Sequence, residues 1–151
     1  MTHVRRQYTV TIQAPRTAVW HVLWTDETYR KWTVPFSPGS YAVTDWKEGS
    51  KALFLGAEGS GMVARIATVR EWEFMSIQHL GEVHNGVEDT TSEKVLQWAG
   101  GLENYTLTEA DGTTTLVVEL DLPTDFVPMF DKMWPPALDI VKALAEEHAA
   151  M

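Results

Sequence analysis

The chain contains no cysteine. Disulfides, thiolate metal sites and cysteine nucleophiles are therefore excluded, and the absence suits the reducing cytoplasm, which is the expected location. Long apolar runs are missing too: nowhere do the ~18 consecutive apolar residues of a bilayer-spanning helix occur. Met1 to Gln13 lacks the apolar stretch of a signal peptide, so no leader is expected. Basic residues are scarce, with 12 Lys and Arg against 21 Asp and Glu and a net charge of -9. Such a surface repels phosphate backbones and anionic headgroups, so neither nucleic acid nor a membrane is an expected partner. His3-Val4-Arg5-Arg6 is the one basic string, and it is too short to reverse that balance.

What is present is a globular sequence of ordinary hydrophobicity, 44% apolar over 151 residues, enough for one domain spanning 1–151 with a sizeable core. Seven tryptophans are unusual in so short a chain, and large rings line clefts as well as cores.

Tyr8, Val10 and Ile12 alternate with Gln7, Thr9 and Thr11, the period-2 pattern of a half-buried strand over Arg6 to Ile12. Pro15 suits the first position of a helix carrying Val19, Trp20, Leu23 and Trp24. Thr25-Asp26 caps a second short helix with Tyr29 and Trp32, which ends in Val34-Pro35-Phe36-Ser37-Pro38-Gly39. From Ser40 the chain reads as successive strands, among them Lys51 to Leu55 and Phe74 to Leu80. A stretch carrying Met62, Ala64, Ile66 and Thr68 on one face lies between those two. Leu102 to Thr108 and Thr114 to Asp121 form a hairpin across Asp111-Gly112. Between the fifth and sixth strands of this run of seven, Gly81 to Gly101 is polar and glycine-punctuated. Loops of that length are commonly lids or mobile insertions. After Pro123 a helical stripe, Phe130, Trp134, Ala137, Leu138, Val141, Leu144 and Ala145, runs to the end, and Pro135-Pro136 predicts a kink or a break in it. The expected class is α+β: a curved antiparallel sheet of about seven strands wrapped around a long C-terminal helix, with two short helices after the first strand.

The strings Ile12-Gln13-Ala14-Pro15 before Val19-Trp20, Thr25-Asp26 before Tyr29 and Trp32, Glu103-Asn104-Tyr105, Gly112-Thr113-Thr114-Thr115-Leu116 and Trp134-Pro135-Pro136-Ala137-Leu138 with Lys142-Ala143-Leu144 occur in a telling order. In that order the chain resembles the SRPBCC or START-like superfamily. The resemblance is to the branch of homologues of the activator of 90-kDa heat-shock protein ATPase, and it covers nearly the whole chain. It implies a helix-grip fold. It implies no single activity, because the superfamily hosts lipid carriers, hormone binders, polyketide cyclase-like enzymes and co-chaperone-like modules. No shared catalytic motif carries over.

The chemistry-bearing residues are few. His79, Glu82, His84, Glu88 and Asp89 cluster in sequence, but their spacing fits no established zinc pattern, and they read as strand-end and loop residues. Glu58-Gly59-Ser60-Gly61 reads as a turn, not a nucleophile elbow. No catalytic residue, metal or cofactor is assigned. His79, Glu103 and Tyr105 fall on strand faces where they either hydrogen-bond one another or meet a ligand. A curled sheet gripping one helix leaves room for a pocket. Its expected wall is Trp32, Phe36, Met62, Ile66, Met75 and Ile77, together with Tyr105, Leu116, Phe130 and Trp134, and His79 supplies polarity. The preferred reading is a non-enzymatic or weakly enzymatic module binding a small apolar or amphipathic molecule. Two others stay open: a chaperone-activator-like protein-interaction module, and a cyclase or hydrolase using His79, Glu103 or Tyr105. A homodimer and a protein partner stay open as well.

Overall fold

Strict alternation builds the sheet. In the computed structural model, which describes residues 3–150, β1 (His3–Ile12) alternates exposed and covered side chains along its length. It pairs antiparallel with β8 (Thr113–Pro123), Tyr8 opposite Val118 and Ile12 opposite Thr114. β8 buries Thr114, Leu116, Val118, Leu120 and Leu122 and leaves the residues between them half-covered, as one buried face requires. The remaining strands are β2 (Tyr41–Val43), β3 (Lys51–Leu55), β4 (Gly61–Arg70), β5 (Phe74–His84), β6 (Val87–Asp89) and β7 (Leu102–Ala110). The sheet is 8-stranded, in the order β1-β8-β7-β5-β4-β3-β2, with β6 paired to the far end of β5.

Two short helices, α1 (Arg16–Trp24) and α2 (Asp26–Trp32), follow β1. Pro15 lies one residue outside α1, as its N-cap, where its carbonyl accepts from the N–H groups of Ala18 and Val19. Thr25 occupies the N-cap of α2, but its hydroxyl caps nothing there and lies 3.3 Å from His21 Nδ1. The chain closes with a 3-10 turn (Thr124–Phe126) and the long helix α4 (Val127–Ala150), which packs on β1, α1 and α2. Ala137, Leu138, Val141 and Ala145 of α4 join Val19, Val22 and Leu23 of α1 and the inner residues of the sheet in one core. This is the helix-grip arrangement.

Two expectations need correction. There is no break at Pro135-Pro136: α4 runs through both prolines as one helix. The missing N–H groups strip partners from the carbonyls of Asp131 and Lys132, one turn earlier. Both prolines lie on the solvent face, where such carbonyls can be hydrated rather than left buried without a partner. The segment 81–101 is also not one loop. β5 continues to His84, turns at Asn85-Gly86 with φ of 52° and 81°, and returns as β6. A single helical turn, α3 (Glu93–Leu96), follows, its Val95 N–H capped by the Ser92 hydroxyl at 3.3 Å. Gly81 makes the return possible, because a Cβ there would sit 2.1 Å from the carbonyl oxygen of Asp89.

Candidate functional site

Between the sheet and the first turns of α4 lies a cavity of about 550 Å³, open to solvent on one side. Volumes of that order hold a molecule of small-drug size. The segment from α2 into the following loop contributes Trp32 and Phe36, α4 contributes Phe130, Met133 and Trp134, and the β3–β4 hairpin contributes Phe54 and Met62. Aromatic contact fixes these walls. Phe36 meets Trp134 edge-on at 4.8 Å between ring centres, Trp134 stacks on Tyr8 at 5.9 Å, and Trp32 lies 6.2 Å from Trp134. Trp32 is anchored further by donating its indole N–H to the Leu23 carbonyl at 3.2 Å.

The polar floor comes from β5 and β7. His79 Nε2 lies 3.0 Å from Glu103 Oε1, and the Tyr105 hydroxyl donates to Glu103 Oε2. Both carboxylate oxygens are thus engaged by neighbours within the protein. The His79 and Glu103 side chains are 20% and 19% exposed, whereas Tyr105 is fully buried. Burial, reinforced by the charge of Glu103, holds the Tyr105 hydroxyl well above the usual tyrosine range, and the same two causes raise Tyr29. His79 Nδ1 is buried and has no hydrogen-bond partner among the described residues.

A β-bulge recruits a second carboxylate. Gly81 of β5 faces Val63 of β4 while His79 faces Ala64, so Leu80 is the extra residue. Unbroken alternation from Met75, Ile77 and His79 would turn Glu82 to the outer face. The bulge shifts the parity and brings Glu82 onto the cavity, opposite Met62. There its Oε2 lies 3.2 Å from His84 Nε2 and 3.5 Å from Lys94 Nζ. Val63 and Val83 are instead buried outside the main core, as is Val95 of α3, which packs against β5.

Of the residues expected on the wall, Trp32, Phe36, Met62, His79, Tyr105, Phe130 and Trp134 line the cavity. Ile66, Met75, Ile77 and Leu116 do not line it. They share the inner face but lie in the closed core with the buried side chains of α1 and α4. Alternation fixes the face of a strand and is silent about depth along it. Glu82, Phe54 and Trp98 line the cavity and were not among the expected residues. For Glu82 the Asn85-Gly86 dipeptide was the available signal, since it marks a tight hairpin just beyond that residue. The sequence cluster His79, Glu82, His84, Glu88 and Asp89 is dispersed. Glu88 pairs with Lys51, Asp89 accepts from the N–H groups of Thr91 and Ser92, and His84 is exposed. Among the described residues no three His, Asp or Glu side chains are placed to hold a metal ion. No helix among them is long and apolar enough to cross a membrane.

No protein-family model matches the sequence, and no curated protein does. Solved structures do. DynU16, from the dynemicin biosynthetic locus, superposes with a TM-score of 0.71 over 96% of this chain at 15% identity, and the chain spans 48% of its length. CalU16 from Micromonospora echinospora gives 0.65 over 93% of this chain at 16% identity, with 65% of its own length covered. The Aha1 dimer from Colwellia psychrerythraea gives 0.68 over 95% of this chain at 18% identity, with 96% of its own length covered. These likenesses establish the helix-grip fold at which the sequence strings pointed.

Proposed function

We propose that the chain binds a small amphipathic molecule in the cavity between the sheet and α4. The observation that carries this reading is the shape and chemistry of the cavity itself. About 550 Å³ is walled largely by aromatic and methionine side chains, with His79, Glu103 and Tyr105 forming a hydrogen-bonded polar cluster on its floor. Apolar walls supply affinity, and a few placed polar groups orient the guest. Met62, Met129 and Met133 add adaptable surface that can refit around different shapes. The biosynthetic setting of DynU16 is in keeping with such a guest, although it belongs to that protein.

Titration of intrinsic tryptophan emission with lipids, aromatic polyketides and steroids tests the reading, because Trp32 and Trp134 lie on the wall. The expected result is saturable quenching by one class together with a raised melting temperature. Met133→Trp, which fills the cavity, is expected to abolish both. The reading is wrong if no class binds, or if that variant binds as well as the parent.

One observation favours a second reading, acid–base chemistry on a bound molecule: the relay from Tyr105 through Glu103 to His79. If the relay turns over a substrate, His79→Ala abolishes the reaction and leaves the melting temperature nearly unchanged. A fall in stability alone assigns His79 a structural role.

A further inference from the structure

The charge of the cavity wall is one-sided. Glu58, Glu82, Glu103 and Asp121 line it, and no lysine or arginine does. Two of these carboxylates are answered from outside the cavity. Asp121 is held by Arg5, with Nε at 2.9 Å and Nη2 at 3.2 Å, and by the Leu102 N–H at 3.1 Å. Glu82 has Lys94 and His84 beside it. Glu103 has neither a lysine nor an arginine: its oxygens accept from His79 Nε2 and the Tyr105 hydroxyl. A carboxylate in a partly desolvated wall attracts a positive group strongly, because water screens the pair poorly there.

The other groups on the floor agree in sense. With Nε2 donating to Glu103, the remaining nitrogen of a neutral His79 ring is an acceptor, and it is the one without a partner among the described residues. The rings of Trp32, Trp98, Trp134 and Phe54 also line the cavity, and an aromatic face turned to a guest favours a cation. Carboxylates with no lysine or arginine in the wall to balance them, set among aromatic rings, complement an N–H-bearing cation on an apolar body and oppose a carboxylate or phosphate.

We infer that the cavity selects amphipathic amines over neutral or anionic molecules of the same shape, with Glu103 as the group that meets the ammonium. The inference rests on the ligand-binding reading above and adds the charge of the guest to it.

A matched pyrene series separates the two: 1-pyrenemethylamine, 1-pyrenemethanol and 1-pyrenecarboxylate, titrated by energy transfer from tryptophan. Salt at ~0.5 M screens the general attraction of an acidic protein for cations. The amine is expected to bind roughly tenfold or more tightly than the alcohol, the range of a charge-assisted hydrogen bond, and the carboxylate more weakly than both. Glu103→Gln keeps the shape and should bring the amine to the affinity of the alcohol while leaving the alcohol unchanged. Glu82→Gln should cost the amine less, because Lys94 and His84 already answer that charge. If all three probes bind alike, or if the preference survives in both variants, the inference fails and the cavity reading stands. If no probe binds and Met133→Trp changes nothing, the cavity reading fails and takes the inference with it.

Discussion

Trp134→Ala removes the side chain on which both the wall and the seating of α4 depend. The indole is 3% exposed and lies within ring-contact range of Tyr8, Trp32, Phe36 and Tyr105. Truncating a buried tryptophan costs about 3–5 kcal/mol. Because Trp134 borders the cavity, part of the space left by truncation joins an opening that already exists, which places the expected loss near the lower end, about 3 kcal/mol. For a domain of this size that corresponds to a fall of about 6–12 °C in melting temperature. Urea denaturation followed by far-ultraviolet circular dichroism measures it, and Trp134→Phe serves as the control that keeps a ring against Phe36 and Tyr8. The phenylalanine variant should lose about 1 kcal/mol and retain probe binding, whereas the alanine variant should bind larger guests and hold small ones more weakly. A loss below about 1 kcal/mol for alanine, or equal losses for the two variants, would refute the role assigned to this ring.

Alkaline pH tests the buried phenols. Tyr29 and Tyr105 titrate above their ordinary value of 10.0 when folded, so the stability they confer is complete below that pH and falls as the pH rises beyond it. The slope for each tyrosine approaches about 1.4 kcal/mol per pH unit once the pH exceeds ~11, read from urea midpoints between pH 9 and 12, and Tyr105→Phe should remove roughly half of it. A wild-type slope unaffected by that replacement would contradict the assignment. At the acid end, hydrogen bonds from Tyr8 and Arg6 hold the Asp131 carboxyl below its ordinary value of 3.8. Its contribution is therefore present above that value and lost as the pH falls through the lowered one. Asp131→Asn should be less stable than the parent at pH 7 and indistinguishable from it at pH 2 in the same assay. Gly81→Ala forces a Cβ against the Asp89 carbonyl and should unpair β6. Faster amide exchange confined to residues 82–89 is the expected signature; unchanged exchange would show that the close approach yields without unpairing.

The elements carried by simple periodicity are legible before any coordinates: β1, the β7–β8 hairpin and the buried stripe of α4 all stand where alternation or helical spacing puts them. The site is legible only in part. Trp32, Phe36, Phe130 and Trp134 follow from the way two helical segments close the mouth of a curled sheet, and His79, Glu103 and Tyr105 follow from strand parity. Parity fails at Leu80, where one extra residue reverses which side chains face inward, and nothing in the local composition marks that insertion. It also failed to distinguish Ile77 from His79, two residues apart on one face, one sealed under the helices and the other at the cavity. Trp46 and Trp72, with φ of 60° and 72°, occupy backbone positions that bulky residues seldom accept. Only their contacts with Trp24 and Trp20 show what their rings do there.

Those contacts have an optical consequence. Ring neighbours run without a gap from Trp72 through Trp20 and Trp24 to Trp46, and through Tyr105 to Trp32 and Trp134. Light absorbed by any of these indoles can migrate along the series before it is emitted. Quenching by a guest seated against Trp32 or Trp134 therefore draws down the emission of the linked array, and replacing one tryptophan at a time will not yield additive shares. The near-ultraviolet circular dichroism, shaped by coupled ring pairs, should report occupancy of the cavity even for guests that absorb no light.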